Sequence, residues 1–264
     1  MRTENEIFPL EIVIVGTGGL ATSLYPALSQ HHQVSLVSRN PIVARVRFPD
    51  ATIYSFDQLP ESADLIILAV PDDVLNEMVT LFIKIPPRIG IVQVSGAGQL
   101  NPDLLGNIPF GVWYPLQTFS RMRQIPINQI PILIDCTDDI LKNVLQSITL
   151  SLHAQVIYCD AETRLKAHLG AVFANNFGNY LFGISSELAY RAGLPEDLYQ
   201  ELLQETLAKF TVLGAEKAQT GPATRGDEVS QKRHTELLQE WASEYLFLYE
   251  EFTRLIKNNH PHES

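Results

Sequence analysis

The sequence predicts an α/β chain in two parts: strands alternating with helices over residues 1–158, then helices alone over residues 159–264. Three observations predict this. Short apolar runs recur between amphipathic stretches throughout the first half. A glycine-rich turn leaves the first of those runs. Beyond Asp160 the apolar spacing lengthens to that of long helices with almost no internal proline.

The strands come in order. Glu11–Val15 reads as a buried strand and Leu20–Gln30 as the helix after it. Gln33–Ser38 and Ala51–Ser55 follow, and Asp64–Val70 is the clearest run, with Val74–Lys84 as its helix. Ile89–Val94 makes a fifth strand, and runs of this kind fit a parallel sheet buried on both faces. The pattern continues, more weakly, through Phe110–Val112, Ile132–Asp135, a helix near Asp138–Ser151 and Gln155–Tyr158. Residues 161–192, 196–218 and 227–257 are then expected as long helices, separated by Gly193-Leu-Pro195 and by Gly221-Pro222 with Gly226.

Composition narrows the classes of function. A hydrophobic share of 45% against 19% charged residues supports packed cores and argues against disorder. The net charge of −11 repels phosphate backbones, so neither nucleic acid nor an anionic membrane surface is expected as a partner. Cys136 and Cys159 form neither a disulfide framework nor a metal cluster. The N-terminal residues lack a signal-peptide core, and no apolar run has transmembrane length, so a cytoplasmic location is expected.

Gly16-Thr17-Gly18-Gly19-Leu20-Ala21 fits G-x-G-x-x-A, a pattern that is weak alone. Here it joins a buried strand to a helix at the start of a βαβ unit, which is the setting of a Rossmann dinucleotide-binding site. Gly16 permits the tight turn, Gly18 lets pyrophosphate approach, and the helix offers free N–H groups to it. The second strand ends at Ser38-Arg39, with Ser38 standing 22 residues after Gly16. No Asp or Glu is there to take a ribose 2′-hydroxyl. A guanidinium suits a 2′-phosphate, so NADP is the expected cofactor, with Arg45 and Arg47 adding positive potential.

Ligands in such sheets lie beyond the carboxyl ends of the strands. Val70-Pro71 offers an apolar edge for ribose or nicotinamide, and Ser95 with Gly96 offers a hydroxyl and open backbone. Asp72 reads first as a helix cap and second as functional. Tyr114 and Gln117, in Trp113–Phe119, either line a substrate pocket or belong to a domain-crossover core. On the first long helix His168, Asn175 and Asn179 share a face at i, i+7 and i+11, with Asn176 beside them and Lys166 a turn earlier. A helix this apolar is expected to be buried, so its polar groups either tie helices together or serve catalysis. In the catalytic reading His168 donates a proton and Asn175 orients a carbonyl. Arg225, in Thr220–Asp227, can hold a substrate carboxylate, while Asp227 caps the next helix.

Taken together, the G-T-G-G-L-A turn, the A-V-P-D strand end and the polar-striped helix resemble the 6-phosphogluconate-dehydrogenase-like superfamily. That group includes pyrroline-5-carboxylate and ketopantoate reductases. Tyr114-Pro-Leu-Gln-Thr-Phe, His168 through Asn176, and Thr220-Gly-Pro-Ala-Thr-Arg-Gly-Asp227 resemble a little-characterised bacterial family of NADP oxidoreductases across nearly the whole chain. The resemblance implies a helical domain that forms a homodimer, with the active site at the domain junction. Two departures stand out: Lys166 is followed four residues on by Gly170 where better-known relatives carry Asn, and Tyr114 replaces a frequent His. The expected function is an NADP(H)-dependent oxidoreductase acting on a small carbonyl or imine substrate. The alternatives are hydride exchange with a second, deazaflavin-type cofactor and a non-catalytic NADP(H) sensor.

Overall fold

The computed structural model describes residues 9–260, so the N-terminal residues judged free of a signal core lie outside the described residues. Eight strands form one sheet in the order β3-β2-β1-β4-β5-β6-β7-β8. They are β1 (Glu11–Val15), β2 (Gln33–Val37), β3 (Thr52–Tyr54), β4 (Leu65–Leu68), β5 (Gly90–Gln93), β6 (Phe110–Pro115), β7 (Pro131–Cys136) and β8 (Gln155–Tyr158). Helices α1 (Gly19–Leu28), α2 (Pro41–Arg47), α3 (Leu75–Phe82), α4 (Pro102–Leu105) and α5 (Asp139–Ser151) connect them.

Strand β1 shows why the sheet is buried on both sides. Ile12 and Ile14 join one core with Leu24, Leu36, Trp113 and Leu141, whereas Val13 and Val15 join the opposite core with Ile66, Phe82 and Leu105. Successive side chains leave a strand on opposite faces, so both halves of an unbroken apolar run must be covered. Asp138 caps α5 as expected, its carboxylate accepting from Ile140 N and Leu141 N.

Two features depart from the sequence reading. The sheet is parallel only from β3 to β6; β7 runs antiparallel to β6, and β8 is again parallel to β7. A parallel return normally runs through a helical crossover, and residues 116–130 contain no helix, which suits a return in the opposite sense. In addition, Asp72 does not cap: the short 3₁₀ turn at Asp72–Val74 has Pro71 at its cap position without a side-chain bond.

The chain divides into two compact units, at Asn179–Tyr180. In the first, the sheet is followed by α6 (Ala161–Ala171) and a π-helical segment (Val172–Phe177) that runs into α7 (Gly178–Arg191). The second contains most of α7 and then α8 (Gln200–Ala218), α9 (Glu228–Trp241) and α10 (Leu246–Asn259). The helix expected over 227–257 is therefore two, broken at Ala242, whose φ of −151° is extended. Helix α8 is kinked by Gly214 at φ +77°. The first long helix is not buried either: Leu169 and Phe173 are 56% and 63% exposed. Among the described residues no helix is long and apolar enough to cross a membrane.

Trp113, fully buried on β6, donates from its indole nitrogen to Thr149 Oγ1 at 2.8 Å, and Thr149 donates onward to Leu145 O. Replacing Thr149 by Val strands that indole N–H in the core. Thr149→Val is expected to destabilise by about 1–3 kcal/mol, while Thr149→Ser retains most of the stability, as read from urea unfolding midpoints.

Candidate functional site

The turn leaving β1 defines the first part of the site. Gly16 has φ +112°, and a Cβ there would stand 2.3 Å from the carbonyl oxygen of Ala69. Only glycine allows this turn to lie against the end of β4. Gly18 is the opposite case, because a Cβ there would meet nothing within 4 Å. It occupies the N-cap of α1 without a side-chain cap, so the first N–H groups of the helix stay available to an anion. Thr17 is tied to Ser38 through their hydroxyls at 3.0 Å, and Arg47 Nη1 donates to Thr17 O at 2.7 Å.

These residues enclose a cavity of about 490 Å³ lined by Gly16–Leu20, Ser38, Arg39, Val70 and Pro71, together with Arg47 and Arg121. The expected cofactor residues from the glycine loop, the β2 end and the β4 end therefore converge. Arg39 is exposed and makes no hydrogen bond or ion pair among the described residues. Among the described residues no carboxylate lines the cavity, although the chain carries a net charge of −11. Arg45 does not line it.

Beyond β5 the geometry differs from the expectation. Ser95 Oγ accepts from Ala97 N and Gly98 N, so the hydroxyl stabilises its own turn and lines neither this cavity nor the next. Gly96 is where the helix arrives: a Cβ there would lie 2.5 Å from His168 Nδ1. The missing side chain makes room for the imidazole at the sheet edge.

His168 also meets Tyr114, whose hydroxyl lies 3.0 Å from His168 Nδ1, with the rings edge-on at 5.9 Å. Burial pushes the Tyr114 phenol above its ordinary pKa. The contact between hydroxyl and Nδ1 anchors the imidazole to β6. A second cavity of about 700 Å³ is lined by Tyr114, Gln117, His168, Asn175 and Asn176. Gln117 and the two asparagines are exposed, and Gln117 Oε1 accepts from Thr118 N.

The π segment changes the phase of the polar stripe. A π turn takes one residue more than an α turn, so Asn176 comes into line with His168, where an uninterrupted α-helix would align Asn175. Asn179 falls outside the cavity. Lys166 points elsewhere, paired with Glu162 at 2.6 Å on an exposed surface. Arg225 belongs to the second unit, exposed in the turn before α9, where Asp227 caps as expected by accepting from Ser230 N. Among the described residues no group of three or more His, Cys, Asp or Glu is arranged to hold a metal ion.

Sequence reasoning missed three contacts. Arg121 entered no motif, because the loop that carries it has no periodic pattern. Arg47's bond to Thr17 was visible only as nearby charge. The contact of Gly96 with His168 joins residues far apart in sequence, and nothing local signals it.

Residues 4–107 match the model of a Rossmann-like domain, and residues 130–256 match the domain of unknown function DUF2520. No protein of curated function matches the sequence significantly. Among solved structures, the putative NADP oxidoreductase of Bacteroides fragilis is 30% identical, with a TM-score of 0.86 over 95% of this chain and 98% of that one. A Thermotoga maritima protein is 21% identical at a TM-score of 0.66, covering 94% and 98%. Pyrroline carboxylate reductase of Plasmodium falciparum, solved with NADP bound, shares the fold at 11% identity and a TM-score of 0.59, covering 95% and 99%. At 30% identity over almost the whole of both chains, this chain belongs to the family of the Bacteroides fragilis protein, and it carries a Rossmann-like domain followed by DUF2520.

Proposed function

We propose that the protein is an NADP(H)-dependent oxidoreductase that reduces a small carbonyl or imine substrate, or oxidises the corresponding alcohol or amine. The observation that carries this reading is the glycine-loop cavity, bordered by Arg39, Arg47 and Arg121 and free of carboxylates. The description of the Bacteroides fragilis relative as a putative NADP oxidoreductase supports it.

The residues fit the cofactor in three places. Gly18 and the N-terminus of α1 would receive the pyrophosphate, Arg39 a 2′-phosphate, and Val70-Pro71 the apolar face of a ribose or nicotinamide. The nicotinamide supplies or accepts a hydride when bound. His168 would supply the proton as its imidazolium, passing one ring proton to the carbonyl oxygen or imine nitrogen as negative charge develops there and being left as the neutral imidazole. Tyr114 holds the ring in place through its contact with Nδ1, and Gly96 lets the ring reach the sheet edge. Asn176 and Asn175 offer amide donors to orient the same substrate group, with Asn176 in phase with His168. Lys166 has no part in this arrangement.

Homodimerisation through the helical unit belongs to the same proposal. Helix α8 buries none of its residues and exposes Leu202, Leu207, Phe210 and Val212 to 60%, 66%, 53% and 80%. Apolar exposure on this scale marks an association surface, and a second copy of the same helix would cover it.

Arg39→Glu is expected to weaken NADPH binding by about tenfold or more while leaving NADH nearly unchanged, as measured by calorimetric titration; equal losses would overturn the 2′-phosphate assignment. His168→Ala should lower turnover of the physiological substrate by about 10²–10⁴-fold with NADPH affinity preserved. Tyr114→Phe should retain nucleotide binding and shift the His168 ring signals in NMR spectra, since Nδ1 loses its partner. The double change Leu207→Glu and Phe210→Glu should convert a dimer into a folded monomer, read by light scattering with circular dichroism.

A further inference from the structure

The connection from β6 to β7 begins at Leu116 and runs along the mouth of both cavities. Its first residues, Leu116, Gln117, Thr118 and Phe119, line the cavity that holds His168. Two residues after Phe119, Arg121 lines the glycine-loop cavity. The segment is held to the nucleotide site by backbone. A Cβ on Gly19 would stand 2.7 Å from Phe119 O and 3.0 Å from the carbonyl carbon of Ser120, so the strap lies directly on the first turn of α1. Further along, Ile125 N donates to Ser23 Oγ at 2.9 Å, pinning the strap to the same helix again. Between the two pins, Met122 N bonds Ser120 Oγ, and Ser120 bridges to Arg123.

Arg121 therefore emerges where the strap crosses the helix N-terminus, not at the end of β2. It is exposed and makes no hydrogen bond or ion pair among the described residues. The other arginines differ. Arg47 is committed to Thr17 O at 2.7 Å, and Arg39 lies two residues past the end of β2, where it would meet the adenosine ribose of a bound dinucleotide rather than its pyrophosphate. Given the function proposed above, on which this step rests, the pyrophosphate has backbone donors but lacks an assigned cation.

We infer that Arg121 is the cation for the cofactor's pyrophosphate, and that the strap 116–125 carries nucleotide binding at Arg121 into the wall of the substrate cavity. Drawing Arg121 onto the phosphates orders the strap on both sides of the Gly19 pin, from Leu116 to Ile125. Gln117, Thr118 and Phe119 are then fixed in the neighbouring cavity. Substrate would meet a completed wall only after the nucleotide has bound.

The test uses the full chain with three probes: NADPH, NADH and ADP. All three share a pyrophosphate, and only NADPH carries a 2′-phosphate. Arg121→Gln is expected to weaken all three by similar factors of about ten, and Arg121→Lys by less, as a point charge replaces a fork. Unchanged affinities, or a loss confined to NADPH, would overturn the pyrophosphate assignment. Hydrogen exchange of residues 116–124 reads the coupling. Saturating NADPH should protect these amides in the wild type and protect them far less in saturated Arg121→Gln; equal protection in both overturns the coupling. If the wild type binds none of the three probes, the proposed function itself fails. If it binds them and Arg121→Gln binds equally well, only this inference fails.

Discussion

At Gly96 the backbone of the sheet edge and the imidazole of His168 occupy space that a single methyl group would fill, with Nδ1 2.5 Å from where the Cβ would stand. The candidate chemistry depends on that approach. It brings a helix residue to the carboxyl edge of a parallel sheet, where Val94, two positions earlier, already lines the nucleotide cavity. The Tyr114 hydroxyl completes the placement from β6, and burial keeps that phenol protonated. Two contacts, one steric and one polar, thus fix the position of the ring. Neither depends on the remaining polar residues of the helix.

The charge distribution follows the same logic of local placement. A chain of net charge −11 repels a phosphate-bearing ligand at long range, but salt screens that field over about 8 Å at physiological ionic strength. Inside the cavity the uncapped N-terminus of α1 and three arginines act at contact distance, with no carboxylate to offset them. Local attraction at contact outweighs the screened background. In the function proposed above, discrimination among nucleotides would rest on Arg39, at the one position where a carboxylate would have selected the unphosphorylated ribose.

Most of the sheet was legible because its rule is local. An unbroken apolar run between turn residues can be only a strand covered on both faces, and β1, β4 and β5 all read that way. The glycine loop was legible because the strand before it and the helix after it were. What escaped depended on contacts distant in sequence or on a change in helical geometry. The antiparallel β7 carries the same kind of apolar run as the parallel strands, so nothing in the strand itself announces its direction, and the link before it, 116–130, lacks a crossover helix. The π segment at Val172–Phe177 carries no glycine or proline to announce it, so α-helical phasing aligned Asn175 and Asn179 with His168 where the structure favours Asn176. The break at Ala242 is equally unmarked. Lys166, judged by its proximity in sequence, is turned to a surface pair with Glu162.

The reversal at β7 has a consequence for the site. Had the chain continued the parallel pattern after Pro115, residues 116–130 would have formed a crossover helix packed on a face of the sheet. An antiparallel return removes that demand and leaves an irregular segment at the carboxyl edge, where both cavities open. Such a segment still needs partners for its backbone. Part of that need is met by α1, through Ser23 Oγ, and Gly19 allows the close approach that brings the strap there. The same departure from parallel topology that sequence reasoning missed thus sets Tyr114 at the end of β6, Gln117 beside His168 and Arg121 at the helix N-terminus. Topology, rather than any motif, links the nucleotide site to the cavity beside it.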